Sequence, residues 1–474
     1  MTEVVGARPR RSARARPLTR AERAAVGKAA RVTAPLASLG QVDPAGRDPV
    51  GLLLGQAESR VPELVPVRHG RMLASPFAYF RGAALPMAAD LARTPRSGLT
   101  AQLCGDAHLA NFGAYASPER RLVFDLNDFD ETMPGPFEWD VKRLAASLAV
   151  AARDNGFSAK EQRQVVLAAA SSYRTSMRTF AEMPLLQVWY ARVDLEEVLD
   201  TYKDRIKASR YKATQGLLAK ARKRDSTQAM SKLTTMVDGQ WRIVSDPPLV
   251  VPVEEVFPEL ESAEIYDEVR KLIVGYGRTL QTNRRHLLGE FRLVQIARKV
   301  VGVGSVGTRA WVLLMLAGDD EPLFLQAKEA QASVLSPYVG RSRHSQHGRR
   351  VVEGQRLMQA VSDIFLGWQH STGPDGTDRD FYVRQLRDWK LSAPIDDMVP
   401  SGMEVYAGLC AWTLARAHAR SGDRVAISAY LGRSDKFERA ISEFADGYAD
   451  LNEKDHAALA DAVASGRTEA VHGV

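Results

Sequence analysis

The sequence is poor in cysteine, has no long apolar run, and carries no net charge once its first 31 residues are set aside. Each absence excludes something. Two cysteines, Cys104 and Cys410, cannot build a disulfide framework, so a cytoplasmic protein with reduced thiols is expected. No stretch reaches the roughly 18 apolar residues of a membrane span, the longest being short pieces such as Ala310–Ala317. The N-terminus also lacks the apolar core of a secretory signal, so neither export nor a membrane partner is expected. Zinc-finger spacing, a helix-turn-helix signal and an aromatic-interleaved basic stripe are missing too, which argues against a dedicated nucleic-acid binder. Nothing in the pattern bears on oligomeric state.

What charge there is has a place. Residues 1–31 hold nine basic side chains against Glu3 and Glu22, which accounts for the whole formal charge of +7. This Ala/Arg/Pro-rich stretch is too polar to fold alone, and residues 1–35 are expected to be a disordered basic tail. A second basic stretch, Lys203, Arg205, Lys207, Arg210, Lys212, Lys220, Arg222, Lys223 and Arg224, is opposed only by Asp204 and is expected to be helical. As a solvated helix face it does nothing special. As a funnel it would attract an anionic substrate or an RNA backbone.

The chemistry concentrates in Cys104-Gly-Asp106-Ala-His108-Leu-Ala-Asn111, followed by Phe124-Asp125-Leu-Asn-Asp128-Phe-Asp130. In kinase-like enzymes a loop Asp accepts the proton of the attacking hydroxyl, and an Asn five residues on, with a later Asp, holds the metal ions on the phosphates. Asp106, Asn111 and Asp128 have that order. The runs 111–115 and 121–126 alternate like strands about a Ser117-Pro118 turn, so a hairpin should return Asp128 to Asn111. Asp125, Asp128 and Asp130 would repel one another unless a hard cation gathers them, which makes Asp125 and Asp130 reserve metal ligands.

This segment resembles the catalytic and metal loops of aminoglycoside phosphotransferase-like kinases, with Cys104 standing where that pattern has His. More broadly, Ser75-Pro-Phe-Ala-Tyr-Phe-Arg-Gly82, the Gly105-Asp-Ala-His-Leu109 segment and Pro134-Gly-Pro-Phe-Glu-Trp-Asp140 are similar to a bacterial family called domain of unknown function 2252. The resemblance covers most of the chain. It implies a protein-kinase-like fold and brings no substrate with it.

A kinase-like site needs a nucleotide-covering half. Gly302-Val-Gly304-Ser-Val-Gly307 lies between two apolar runs, 293–303 and 308–316, and a third run, 322–328, ends in Lys328. The segment after Gly307 has no polar face, so strand, glycine loop, strand is expected, as part of a three-stranded meander. Lys328 would bind phosphates, with Glu353 on the helix expected over 349–363 as its partner. Glu329 is a rival for that partnership, but adjacent strand residues point to opposite faces. His418-Ala-Arg-Ser-Gly-Asp423 is a rival catalytic loop, which lacks an Asn five residues after Asp423.

Together these expectations give an α+β, two-lobed, protein-kinase-like fold in circularly permuted order. Residues 36–289 form a helical catalytic lobe, 290–395 a β-rich nucleotide lobe, and 396–474 helices that return to the catalytic lobe. The expected function is ATP- and Mg2+-dependent phosphotransfer to an unidentified hydroxyl acceptor. Asp106 is the base, Asn111, Asp128, Asp125 and Asp130 are metal ligands, and Gly302, Gly304, Gly307, Lys328 and Glu353 serve the nucleotide. Asp140 braces the loop, and His108 packs within it. A silent nucleotide-binding module, nucleotidyl transfer, and a nucleic-acid-associated protein using the basic segments stay open as alternatives.

Overall fold

The computed structural model describes residues 16–201, 203, 208–300, 302–386 and 388–473. Its fold is mixed α+β with antiparallel sheets. A helical body is built around the Phe137–Asp154 helix, where every residue from Phe137 to Ala152 is buried. Ala145, Ala146, Ala149, Ala151 and Ala152 leave room for neighbours on several sides. The helices Ala159–Glu182, Pro400–Ser421 and Lys436–Ala464 pack there. Ser158 and Glu161 form the capping box that starts the Ala159–Glu182 helix. Gly156, at φ +72°, reverses the chain just before it.

Two small sheets sit on this body. The hairpin Phe112–Ala116 and Leu122–Leu126 pairs Phe112 with Leu126. Thr100–Leu103 pairs with Met133–Pro136, so the segments before and after the hairpin lie side by side.

The second unit is a six-stranded antiparallel sheet in the order Gly367–Thr372, Asp378–Gln385, Pro322–Ala330, Ala310–Leu316, Arg292–Lys299, Val250–Pro252. The three strands from 292 to 330 are the expected meander. Strand alternation divides their side chains between two cores. Leu313, Met315, Leu323 and Leu325 pack with Tyr276, Leu280 and Leu288 of the preceding helical segment. Val312, Leu314 and Phe324 pack with Ala229, Met230 and Ile243. The sheet therefore draws on residues before 290: Val250–Pro252 is its edge strand, and its apolar faces are buried under residues 226–288.

The tail expectation is also corrected. Residues 1–15 lie outside the described residues, but Arg20–Thr33 is a helix with a Thr19–Glu22 capping box. It packs on the Arg424–Leu431 helix, and Gly27 lies so close that a Cβ there would sit 1.9 Å from the Ala426 oxygen. Arg23 binds Asp423, and Arg31 donates to the carbonyls of Ala429 and Tyr430. Composition alone suggested disorder; docking on a neighbour supplies what the isolated segment lacks.

Of the second basic stretch, Asp204, Arg205 and Lys207 lie outside the described residues. Ala208–Arg222 is helical. Among the described residues no helix is long and apolar enough to cross a membrane.

Candidate active site

Asp106 stands in a loop fixed from the helix behind it. Asp140, on the first turn of the Phe137–Asp154 helix, accepts from Cys104 N at 2.8 Å and Gly105 N at 3.1 Å. Gly105, at φ +83°, is required there, since a Cβ would meet the Glu131 carbonyl oxygen at 2.3 Å. One turn along the same helix Arg143 reaches Asp106 Oδ1 through Nε at 2.8 Å and Nη2 at 2.7 Å. Burial nevertheless prevails over Arg143 and pushes the Asp106 carboxyl up to about 6. His108 is buried, 3.6 Å from Asp106 Oδ2, and burial, aided by Arg143 and Arg81, lowers its pKa far below that of an ordinary imidazole. Asn111 donates through Nδ2 to the Asp106 carbonyl at 2.7 Å. That bond spends its amide nitrogen and leaves Oδ1 as its potential ligand atom.

The sheet contributes the opposite wall. Lys328 points to the same face as Phe324 and Gln326, toward the hairpin, and its Nζ lies 2.6 Å from Asp130 Oδ2 and 3.9 Å from Asp128 Oδ1. Tyr382 OH donates to Asp130 Oδ1 at 2.7 Å, and Ser305 Oγ of the glycine loop reaches Oδ2 at 3.3 Å. Burial works against the Asp130 charge, but Lys328, Tyr382 and Arg384 outweigh it and hold the carboxyl below its ordinary value. The same carboxylates hold Lys328 protonated despite its burial.

The glycine loop follows its strand onto the N-terminal helices. Arg71 donates to Gly302 O at 2.7 Å, Arg60 to Val306 O, and Val61 N to Gly307 O at 2.8 Å. Gly302 and Gly307 have φ of +63° and +87°. The loop, Lys328, Asp128, Asp130 and the Asp106–Asn111 turn thus share one polar cluster between body and sheet.

Two expectations are corrected, and one rival is removed. Asp125 is no metal ligand: it is buried, accepting from Arg416 at 2.5 Å and Ala360 N at 2.8 Å on the far side of its strand. Glu353 does not meet Lys328; it faces Arg356 at 3.9 Å on the outer side of the His347–Met358 helix. The inward position is Arg350, which donates to the carbonyls of Asp130, Thr132 and Gln331. The rival loop at His418–Asp423 is the end of a buried helix. His418 there lies 3.4 Å from Asp140 and bonds the Tyr173 hydroxyl, and Asp423 caps the next helix. Glu329, the rival partner of Lys328, pairs with Arg309 instead.

The residues the pattern missed are Arg143, Arg350, Arg416, Tyr382, Arg384 and Glu131. One signal was available for Arg143. Charges in the first two turns of an otherwise apolar, alanine-rich helix must find partners when buried. Glu131 is pushed up to about 7 by burial, against the pull of Arg350 and the Val334 amide.

A cavity of about 300 Å³ is lined by Arg384, Asn127 and Gln359. An opening of about 830 Å³ lies on the other face of the sheet, lined by Ala327, Trp311 and Phe257 among others and by none of the cluster residues. Among the described residues no group of three His, Cys, Asp or Glu side chains could hold a metal.

Fold and site define an α+β protein in which a helical body and an antiparallel sheet clasp a buried lysine and its partly exposed carboxylate partners. The chain belongs to the bacterial family described as an uncharacterized protein conserved in bacteria, domain of unknown function 2252, whose pattern matches residues 60–462. No curated protein and no solved structure matches it.

Proposed function

We propose that the protein is an ATP- and magnesium-dependent phosphotransferase of protein-kinase-like fold with permuted lobes, acting on a hydroxyl acceptor. The observation that carries this reading is the pairing of Lys328 with Asp130 across 198 positions of chain, under the glycine loop and within electrostatic reach of Asp106 through Asp128. A phosphate chain would replace carboxylate contacts at Lys328. Loop, lysine strand and helix follow in the order in which kinases use them, although the Asp106 segment precedes them.

The donor set suits magnesium better than a self-contained metal cage. Magnesium takes one or two carboxylates and completes its octahedron with waters and phosphate oxygens. Asp128 and the Asn111 Oδ1 would hold it, with Asp130 released from Lys328 as the second carboxylate. When bound, the ion would neutralise charge on the phosphates. Asp106, ionised above about pH 6 and held in line by Arg143, accepts the acceptor proton. Entry requires the Gly302–Gly307 loop to lift from Asp130, since Ser305 bonds that carboxylate.

A silent nucleotide-binding module is the second reading, favoured by the double engagement of Asp106 by Arg143. The nucleic-acid reading loses ground because Arg222 pairs with Glu196 and Arg224 donates to Lys390 O.

Incubation with γ-labelled and with α-labelled ATP, with and without metabolite pools, separates these readings. Transfer of the γ label supports phosphotransfer, transfer of the α label indicates nucleotidyl transfer, and binding without transfer indicates silence. Asp106→Asn should keep nucleotide binding and lower turnover about 10²–10⁴-fold. Equal turnover in that variant removes Asp106 from the mechanism.

A further inference from the structure

Cations around the cluster are nearly all engaged. Lys328 holds Asp130, Arg143 holds Asp106 and the Phe80 carbonyl, Arg350 holds three carbonyls, and Arg60 holds Val306 O. Arg81 differs. It ends the Pro76–Gly82 helix, is half-buried, and among the described residues its guanidinium makes no hydrogen bond or ion pair. Its Nε is fully shielded from solvent and has no partner.

Position gives this vacancy meaning. Asp106 and Asp396 are the carboxylates that act on Arg81, and Arg81 in turn acts on His108, so the guanidinium lies on the Asp106 side of the cluster. Its own backbone touches the glycine loop: a Cβ on Gly304 would sit 3.2 Å from the Arg81 carbonyl oxygen. Arg81 therefore links the loop that would cover phosphates with the carboxylate that would take the acceptor proton. A shielded guanidinium Nε without a partner is costly unless an anion completes it.

Resting on the phosphotransfer reading, we propose that Arg81 binds the terminal phosphoryl group of ATP during transfer. In that step the acceptor O–H proton passes to Asp106, and a bond forms between the acceptor oxygen and the γ-phosphorus. The bond from that phosphorus to the β–γ bridging oxygen breaks, and its electron pair leaves with ADP. Arg81 forms no covalent bond. It donates two hydrogen bonds to the equatorial oxygens that carry the charge, from a rigid fork that an ammonium cannot reproduce.

The test compares wild type, Arg81→Met and Arg81→Lys for ATP and ADP affinity in magnesium, and for release or transfer of the γ-phosphate. Because the Arg81 side chain makes no hydrogen bond or ion pair among the described residues, all three should melt alike. Wild type should bind ATP more tightly than ADP. R81M should lose that preference with ADP affinity unchanged and turn over about 10²–10³-fold more slowly. R81K should recover the ATP preference in part and turnover little. An R81M protein with the wild-type ATP-to-ADP ratio and rate overturns the assignment and leaves phosphotransfer standing. Wild type that binds neither nucleotide sinks phosphotransfer and this role together.

Discussion

The two walls of the cluster are held in different ways. On the helical side, carboxylates are fixed by backbone amides and by arginines that are themselves buried, as in Asp140 with Cys104 N and Gly105 N, or Asp125 with Arg416 and Ala360 N. On the sheet side, Lys328 meets Asp130 through side chains alone, with Asp128 3.9 Å away and partly exposed. A network tied to the backbone cannot yield without unfolding its loop. Side-chain pairs can exchange partners for an incoming anion or cation. The helical wall is therefore read as scaffold and the sheet wall as the part that responds to ligand.

That contrast is broken or sharpened most strongly at Asp125. Asp125→Ala strands Arg416, which is 1% exposed, and should cost about 3–5 kcal/mol in denaturant unfolding. Asp128→Ala, on the open side, should cost under about 1 kcal/mol while weakening magnesium-dependent ATP binding. If the two variants unfold alike, the division between scaffold and responsive wall is wrong.

At the outer edge of the body, Gly27→Val places a side chain against the Ala426 carbonyl and should destabilise by about 1–3 kcal/mol. A melting temperature unchanged from wild type would mean that the Arg20–Thr33 helix is not docked in solution.

Glu131 lies at the seam between the walls, and its pH dependence has a definite sign. Because burial raises its carboxyl to about 7, the folded state holds the proton more tightly than the unfolded chain between about pH 4.5 and 7. This group therefore subtracts stability as pH rises through that window. Glu131→Gln keeps the acceptor for Val334 N and removes the charge. Relative to wild type, it should gain roughly 1–3 kcal/mol between pH 5 and 8 in unfolding titrations. A constant difference across that range would show that Glu131 has an ordinary pKa.

The smallest effect belongs to Glu353. Replacement by Ala should change stability by less than about 0.5 kcal/mol and leave nucleotide affinity as it was, since its partner is the half-exposed Arg356. A marked fall in ATP affinity would restore Glu353 to the site and imply a rotated helix when nucleotide is bound.

Much of the site was legible because its signals are local. The strand-turn-strand pattern around Ser117-Pro118 required a hairpin, and hairpin register returns Asp128 toward Asn111. The apolar runs flanking Gly302–Gly307 required strands, and strand parity put Lys328 and Glu329 on opposite faces, where they are found with separate partners. The Arg20–Thr33 helix was illegible for the opposite reason. Its own composition favours solvent, and its stability comes from a surface formed some 400 residues later.

The sequence by itself determined which segments are strands and helices through most of the chain, where they turn, and which carboxylates, glycines and lysine each segment carries. Tertiary structure alone decided which of them meet. Asp125 and Asp128 stand three positions apart, yet one is consumed by Arg416 and the other faces Lys328. On the His347–Met358 helix, packing against the Asp130–Thr132 carbonyls turned Arg350 inward and left Glu353 outside. The physical reason is that periodicity fixes the relative directions of side chains within an element. The partner that will accept a buried charge lies hundreds of residues away and is selected only when the elements pack.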